Sequence, residues 1–205
     1  MSTACYPERV ASVDRSVDVT LVPRGTVRFP VVMQVPAGFD PERPETWPQV
    51  PGRLEYVGGR LEYMPPCGEI QQRVTVDVVT ELNIWRRAHP ELVLGSNEAG
   101  MLLDGEVRGA DVAVWRATPA QPGFARVAPI LVVEVVGADD DVEVLSSKAE
   151  WYLAHGVSIV WIVDPDSRTV HVITSRGRTP VRDRIPEAPE LPGLSPAVND
   201  FFRQL

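Results

Sequence analysis

Residues 109–164 read GADVAVWRATPAQPGFARVAPILVVEVVGADDDVEVLSSKAEWYLAHGVSIVWIVD, and this stretch decides the fold. Its apolar runs predict strands in GADVAVW, APILVVEVVG and VSIVWIVD, with a helix in SSKAEWYLAHG between the last two. One acidic residue, Glu134, lies inside the second apolar run. Burying a carboxylate is costly unless it is paired or binds a metal. The run that should form the core therefore also marks a candidate site.

Two more charged residues flank this run. Asp111 opens the preceding strand, and Lys148 lies on the following helix. Because alternate residues of a strand share one face, pairing of the two strands would bring Asp111 and Glu134 together near the end of the sheet. Two close carboxylates raise each other's pKa, and a hard divalent cation resolves that conflict. We therefore predict a Mg²⁺ or Mn²⁺ site held by Asp111 and Glu134.

A metal ion at this position would suit phosphodiester hydrolysis. Such an ion lowers the pKa of a bound water and stabilises charge on the leaving oxygen. Lys148 could orient that water or stabilise the transition state, and Glu55 could supply a third carboxylate. Each acid also has a structural interpretation. Asp111 could cap a turn, and Glu134 could form a buried salt bridge with Arg108 or Lys148.

The chain before these strands predicts a hairpin and a helix. In RLEYVGGRLEYMPP, at 53–66, the dipeptide Gly58-Gly59 suits a tight turn. Apolar residues recur at helical spacing from Glu69 to Ala88, where Ile70, Val74, Val78, Leu82 and Trp85 form one stripe. We predict further short strands at 17–22, 27–35 (an edge strand, because of Pro30), 92–94, 101–103 and 169–174, with a helix capped at Ser146 or Ser147. This order of elements predicts an α/β domain with a mixed sheet.

Proline usage divides the chain. The 20 prolines among 205 residues concentrate in the first 66 and the last 30 positions, where we expect irregular structure. We therefore predict an irregular N-terminal extension at 1–50, one domain at 51–178, and a proline-rich C-terminal tail at 179–205 that packs on the domain.

Composition narrows the class of protein. The chain is 44% hydrophobic and 23% charged, which is ordinary for a soluble globular protein. A net charge of −8 argues against general coating of nucleic acid, although it allows a local basic groove. We expect no signal peptide and no membrane span, a cytoplasmic location, free thiols at Cys5 and Cys67, a solvated acidic loop at 139–143 and core roles for Trp151, Tyr152 and Trp161.

The order and spacing of these segments resemble a known family. GRLEYMPP, a helix, ADVAVW, APILVVEVV, K-x-x-x-Y and WIVDP are similar to the Uma-two family of bacterial endonucleases, within the PD-(D/E)XK restriction-endonuclease-like superfamily. The resemblance covers Arg53 to Val172. It implies a restriction-endonuclease-like core with a mixed sheet flanked by helices, and Mg²⁺-dependent cleavage of DNA. It also implies that Asp111 is the motif aspartate, Glu134 the second acid and Glu55 the hairpin acid. Superfamily analogy adds a homodimer.

Several positions depart from the family pattern. The lysine of (D/E)XK would fall at Val136, but this family usually carries its lysine on the next helix, where Lys148 fits. A histidine and glutamine pair at the first helix reads Gln71-Gln72 here, which leaves Gln71 as a supporting residue. The other departures are Ala110, Gly137-Ala138 and Val144. The alternative function is therefore the same fold without catalysis, as a binding or assembly module. A small-molecule hydrolase has no G-x-S-x-G elbow or Cys/His pair to support it.

Overall fold

A computed structural model of the protein describes residues 29–137, 140 and 142–205. The described strands are β1 Val31–Met33, β2 Arg53–Val57, β3 Arg60–Met64, β4 Leu92–Leu103, β5 Glu106–Arg116, β6 Leu131–Val135, β7 Ile159–Asp164, β8 Thr169–Thr174 and β9 Gly177–Val181. The helices are α1 Glu69–Arg86 and α2 Val142–Ala154, with 3-10 turns at Pro44–Thr46 and Val198–Phe202. The strand expected at 17–22 lies outside the described residues. No helix in the described ranges is long and apolar enough to cross a membrane.

Strand β5 organises the sheet. One edge of β5 pairs with β4 along nearly its whole length. The other edge pairs with β2 through the single register pair Tyr56↔Val107, and with β6 through residues 112–114. The remaining order is β1-β3-β2 on one side and β6-β7-β8-β9 on the other, and among the described strands only the pair β6 and β7 is parallel. The predicted α/β fold with a mixed sheet is confirmed.

Each face of the sheet carries one helix. Helix α1 buries Val74, Val78 and Leu82 against β5, β6 and β7, together with side chains of the C-terminal segment such as Phe201. Helix α2 covers the opposite face through Leu145, Ala149 and Tyr152. The proline-rich end of the chain therefore contributes to the core. Strand β9, at Gly177–Val181, crosses the predicted boundary between the domain and the tail at 178–179, and β1 lies within the stretch that we expect to be irregular.

The apolar stripe of α1 is shorter than its sequence suggests. Val74, Val78 and Leu82 are fully buried, but Ile70 is 54% exposed. In the first turn it is Gln71 that points inward, and it is buried. The prediction for Ile70 was therefore wrong, because a polar residue takes the inward position where the helix passes the candidate site.

Three other local predictions were also wrong. The strands expected at 92–94 and 101–103 form the single strand β4, because the turn at Asp104-Gly105 joins β4 and β5 in one long hairpin. The hairpin also places Asp111 inside β5 and not at its start. Helix α2 begins at Val142, so neither Ser146 nor Ser147 caps it. Their hydroxyls donate instead to carbonyls one turn earlier.

Candidate functional site

Asp111 lies where the pairing of β5 with both β4 and β6 is interrupted. The ladder with β6 ends at Val112↔Val133, and the ladder with β4 shifts register opposite Asp111, at Asn97 and Glu98. Asn97 and Glu98 have φ of 61° and 60°, a left-handed conformation that is costly for residues with a side chain. Released from a regular ladder, the Asp111 carboxylate accepts a hydrogen bond from the Val135 N–H at Oδ2 (2.7 Å).

Gln71 completes the surroundings of Asp111. Its Nε2 lies 3.2 Å from Asp111 Oδ2 and 3.2 Å from the Val135 carbonyl oxygen. Strict alternation would place Asp111 on the face of Ala113, under α2. However, Ala110 and Ala113 both lie on the α2 side, although residues three apart on a regular strand face opposite sides. The alternation is therefore interrupted between them, and the Asp111 carboxylate contacts Gln71 on α1. The structure thus brings the supporting residue Gln71 into contact with one predicted acid.

The second predicted acid is paired with the predicted lysine. Lys148 Nζ lies 3.0 Å from Glu134 Oε1 and 2.9 Å from Glu55 Oε1. The ammonium also donates to the Gly109 carbonyl (2.9 Å). All three charged side chains are buried. A strand, a hairpin and a helix that are distant in sequence therefore supply one acid–base–acid arrangement.

Burial and neighbouring charges shift the pKa values of these three groups differently. Burial, with the Asp111 and Glu55 carboxylates, raises the pKa of Glu134 to about 7, despite the opposing effect of Lys148. Burial would also raise the pKa of Glu55, but Lys148 and Arg108 outweigh it and hold that pKa below its usual range. Burial disfavours the Lys148 ammonium, yet Glu134 and Glu55 raise its pKa. Glu55 and Lys148 therefore stay ionised, and Glu134 is the acid that titrates near neutral pH.

Sequence reasoning assigned Tyr152 to the core only. The side chain is fully buried, but its hydroxyl also donates to Glu134 Oε1 (2.7 Å). Burial and the Glu134 carboxylate raise the pKa of Tyr152, so the phenol stays protonated. Its position four residues after Lys148, one turn along the same helix face, was the available signal.

Sequence reasoning also missed the arrangement of two arginines. Arg108 Nη1 contacts Glu55 Oε2 at 2.5 Å and lies 3.9 Å from Glu62. The salt bridge that we considered between Arg108 and Glu134 is therefore a pair with Glu55. Arg53 Nη1 lies 2.9 Å from both carboxylate oxygens of Glu98 and 3.8 Å from Asp111 Oδ1. Both arginines lie on or beside the hairpin β2–β3, where Glu55 was the one site residue predicted from the sequence.

These side chains surround a cavity of about 200 Å³. Its charged and amide lining consists of Arg53, Glu55, Glu62, Gln71, Arg108, Glu134, Asp140 and Lys148. Asp111 faces a second cavity of about 390 Å³ between α1 and the bulge of β4, together with Glu98. Asp140 belongs to the acidic loop that we expect to be solvated, and it accepts a hydrogen bond from the Gly137 N–H (3.3 Å). Asp139 and Asp141 lie outside the described residues.

The oxygen atoms of the site suit a hard divalent cation. In the described part of the chain, both donors to Glu134, from Lys148 and Tyr152, meet Oε1, which leaves Oε2 for a ligand. Asp111 likewise uses mainly Oδ2. No three acidic, histidine or cysteine side chains among the described residues group into a metal site by themselves. Asp111 and Glu134, the two predicted ligands, line different cavities, and a cation held by them would complete its shell with water or phosphate oxygen, as Mg²⁺ commonly does.

Comparisons with known proteins identify the family and the fold of this chain. A family model described as "Uma2: Putative restriction endonuclease" matches residues 41–203. A solved structure described as "a putative nuclease belonging to DUF820 from Anabaena variabilis" is 16% identical, with a TM-score of 0.70. The match covers 80% of this chain and 97% of that one, and at this identity it shows a shared fold. No curated protein matches the sequence.

Proposed function

The chain belongs to the Uma2 family, and on that premise we propose that it is a metal-dependent endonuclease that hydrolyses phosphodiester bonds in DNA. One observation carries the proposal. Glu134 is buried beside a second carboxylate, its pKa is raised to about 7, and a lysine ammonium lies 3.0 Å from it at the wall of a cavity. Buried carboxylates with strongly shifted pKa values are concentrated at functional sites.

Each residue has a role that follows from its contacts. Asp111 and Glu134 would hold the cation, and Gln71 and the Val135 N–H orient Asp111 by donating to its Oδ2. Bound Mg²⁺ supplies Lewis acidity and a water of lowered pKa. Lys148, fixed by Glu55, presents an ammonium that pairs with the phosphate oxygen on which charge develops. Tyr152 donates to Oε1 of Glu134 and so holds that carboxylate in place.

Cleavage of plasmid DNA tests this function. Purified protein should nick supercoiled plasmid in Mg²⁺ or Mn²⁺ but not in chelator. Asp111→Asn and Glu134→Gln should each lose about 100-fold or more of the rate, because each removes a ligand of the cation that stabilises the transition state. Glu190→Gln, which neutralises an exposed acid of the C-terminal segment, is the matched control. Unchanged cleavage in both site variants would refute the proposal.

A second candidate function is a binding or assembly module without catalysis. The observation that favours it is that acids of the site form ion pairs with cations of the same chain. Lys148 bridges Glu55 and Glu134, and Arg53 lies near Asp111, so each acid already has a cation from the protein. Calorimetry of Mn²⁺ into wild type and Glu134→Gln separates the two functions, since a module of this kind shows neither binding nor cleavage. The expected homodimer stays a prediction, which light scattering of purified protein checks.

A further inference from the structure

Two buried donors in the described part of the chain have no acceptor there. Among the buried side-chain nitrogen and oxygen atoms of the described residues, those without a hydrogen-bond partner are Arg53 Nε and Arg108 Nε. Leaving a buried donor unpaired costs free energy, more so for a charged group. Both arginines line the cavity that holds Glu134 and Lys148. The coincidence of two such atoms at one cavity calls for a common explanation.

Arg53 is held so that one edge of its guanidinium stays unused. Its Nη1 takes up both oxygens of Glu98 at 2.9 Å. On the opposite edge Nε is unpaired, and Nη2 meets only the sulfur of Met64 at 4.0 Å. A thioether is a weak acceptor on a flexible side chain, so an oxyanion can displace it. The Nε–Nη2 edge is the edge that binds two oxygens of a phosphate in parallel.

Arg108 repeats this arrangement from the neighbouring strand. Its ion pairs in the described residues leave from Nη1, to Glu55 at 2.5 Å and towards Glu62 at 3.9 Å. The guanidinium lies over the Trp151 ring, 5.1 Å from its centroid, which fixes its plane. Its Nε also has no acceptor. Glu55, between the two arginines, is on the same face of β2 as Arg53.

We propose that Arg53 and Arg108 form a phosphate-binding subsite on the hairpin side of the cavity, distinct from the metal-binding acids. Its ligand is a phosphate of nucleic acid next to the one that is cleaved, or a terminal phosphate of the strand. The inference rests on the proposed function for the nucleic-acid nature of the ligand. The anchoring acids Glu98 and Glu55 hold the two guanidinium groups and do not themselves touch the phosphate.

The charges of the cavity couple this subsite to the metal. Three cations, Arg53, Arg108 and Lys148, face four acids, namely Glu55, Glu62, Glu134 and Asp140. The acids therefore outnumber the cations, and a bound divalent cation would add positive charge beside the phosphate. By linkage the cation and the phosphate must each increase the affinity of the other. Phosphate binding through the arginines should be stronger with the divalent cation present than without it.

Lysine substitutions give the sharpest test. Arg53→Lys and Arg108→Lys keep a cation for Glu98 and Glu55 but remove the planar two-donor edge. The assay is fluorescence anisotropy of a short labelled DNA strand, with and without a 5′-phosphate, in Ca²⁺ or in chelator. We expect Ca²⁺ to tighten binding to wild type, and each lysine variant to weaken binding by about tenfold or more in Ca²⁺. Arg60→Lys, an exposed arginine of the same hairpin, is the matched control and should bind as wild type.

The outcomes separate the inference from the proposed function. A loss for both strands assigns the subsite to a backbone phosphate, and a loss only for the phosphorylated strand assigns it to a terminal phosphate. Wild-type affinity in both lysine variants, or no binding of either strand to wild type, overturns the inference even if plasmid is cleaved. Arginine-dependent binding without metal binding or cleavage would overturn the nuclease function alone. Thermal unfolding of each variant confirms that the fold is retained.

Discussion

Neutralising Glu134 should make the protein more stable at alkaline pH. The carboxyl group has an ordinary pKa of 4.5 and a pKa of about 7 in the folded chain. Between these values the folded protein keeps a proton that the unfolded chain has released. The free energy of unfolding therefore falls as the pH rises through this window. Glu134→Gln keeps the shape of the side chain and removes its titration.

The size of the effect follows from the difference in pKa. A difference of about 2.5 pH units, at about 1.4 kcal/mol per unit, gives about 3 kcal/mol in total. Most of it, about 2.5 kcal/mol, is lost between pH 5 and pH 8. Glu55 and Lys148 do not contribute in this range, because their pKa values shift away from it. Burial and Arg178 lower the pKa of His171, so His171 makes the free energy of unfolding rise with pH. This contribution is the same in wild type and variant.

Urea unfolding at several pH values between 5 and 8 measures the difference directly. We expect the wild type to lose about 2.5 kcal/mol relative to Glu134→Gln over that range, in chelator throughout. The comparison of two proteins at each pH removes every titration that they have in common. Parallel pH profiles for the two proteins would refute the reasoning, since they would show that Glu134 titrates alike in the folded and unfolded chains.

Four further predictions concern the site and the core. Lys148→Met leaves Glu55 and Glu134 without their shared cation and should cost about 3 kcal/mol or more in urea unfolding at pH 8; unchanged stability would contradict the pairing. Tyr152→Phe removes a donor that lowers the pKa of Glu134, so the acidic limb of the pH–rate profile should move to higher pH, and an unmoved limb would exclude this role. Binding of Mn²⁺ should release about one proton at pH 6 and almost none at pH 9, measured by calorimetry in buffers of different ionisation enthalpy; equal release at both pH values would count against Glu134 as a ligand. Phe201→Ala should cost about 3–5 kcal/mol by leaving a core cavity while Mn²⁺ affinity stays that of the wild type, which tests whether the two regions are independent.

The sequence was most informative where a local pattern carried the information. A carboxylate inside an apolar run identified Glu134, because the cost of burying a charge does not depend on the rest of the fold. The Gly58-Gly59 turn was equally local, and the two glycines have φ of 57° and 74°, as a tight hairpin turn requires. Lys148 could be assigned to the site through the family resemblance, which supplied its role on the following helix.

The other features of the site depend on which strands pair with each other, and no local sequence pattern shows this. The bulge at Asn97 and Glu98 exists only because β4 and β5 pair along their whole length, and it releases Asp111 from strict alternation. The ion pairs of the two arginines could not be predicted from the sequence either, since Arg53 and Glu98 are 45 residues apart. Ser146 looked like a cap because serine favours that position, yet the helix had already begun a turn earlier. In each case tertiary contacts outweighed a local preference.

The single register pair between β2 and β5 bears on how the chain selects one fold. A strand that slips by one residue turns every side chain to the opposite face, and a long ladder normally prevents this. Here the backbone fixes the hairpin to β5 only at Tyr56↔Val107. In the slipped register Arg53 and Glu55 would point away from Glu98 and Arg108, and four charges would lose their partners. Charge complementarity thus discriminates against the misaligned hairpin, and the same residues that make up the site specify the topology around it.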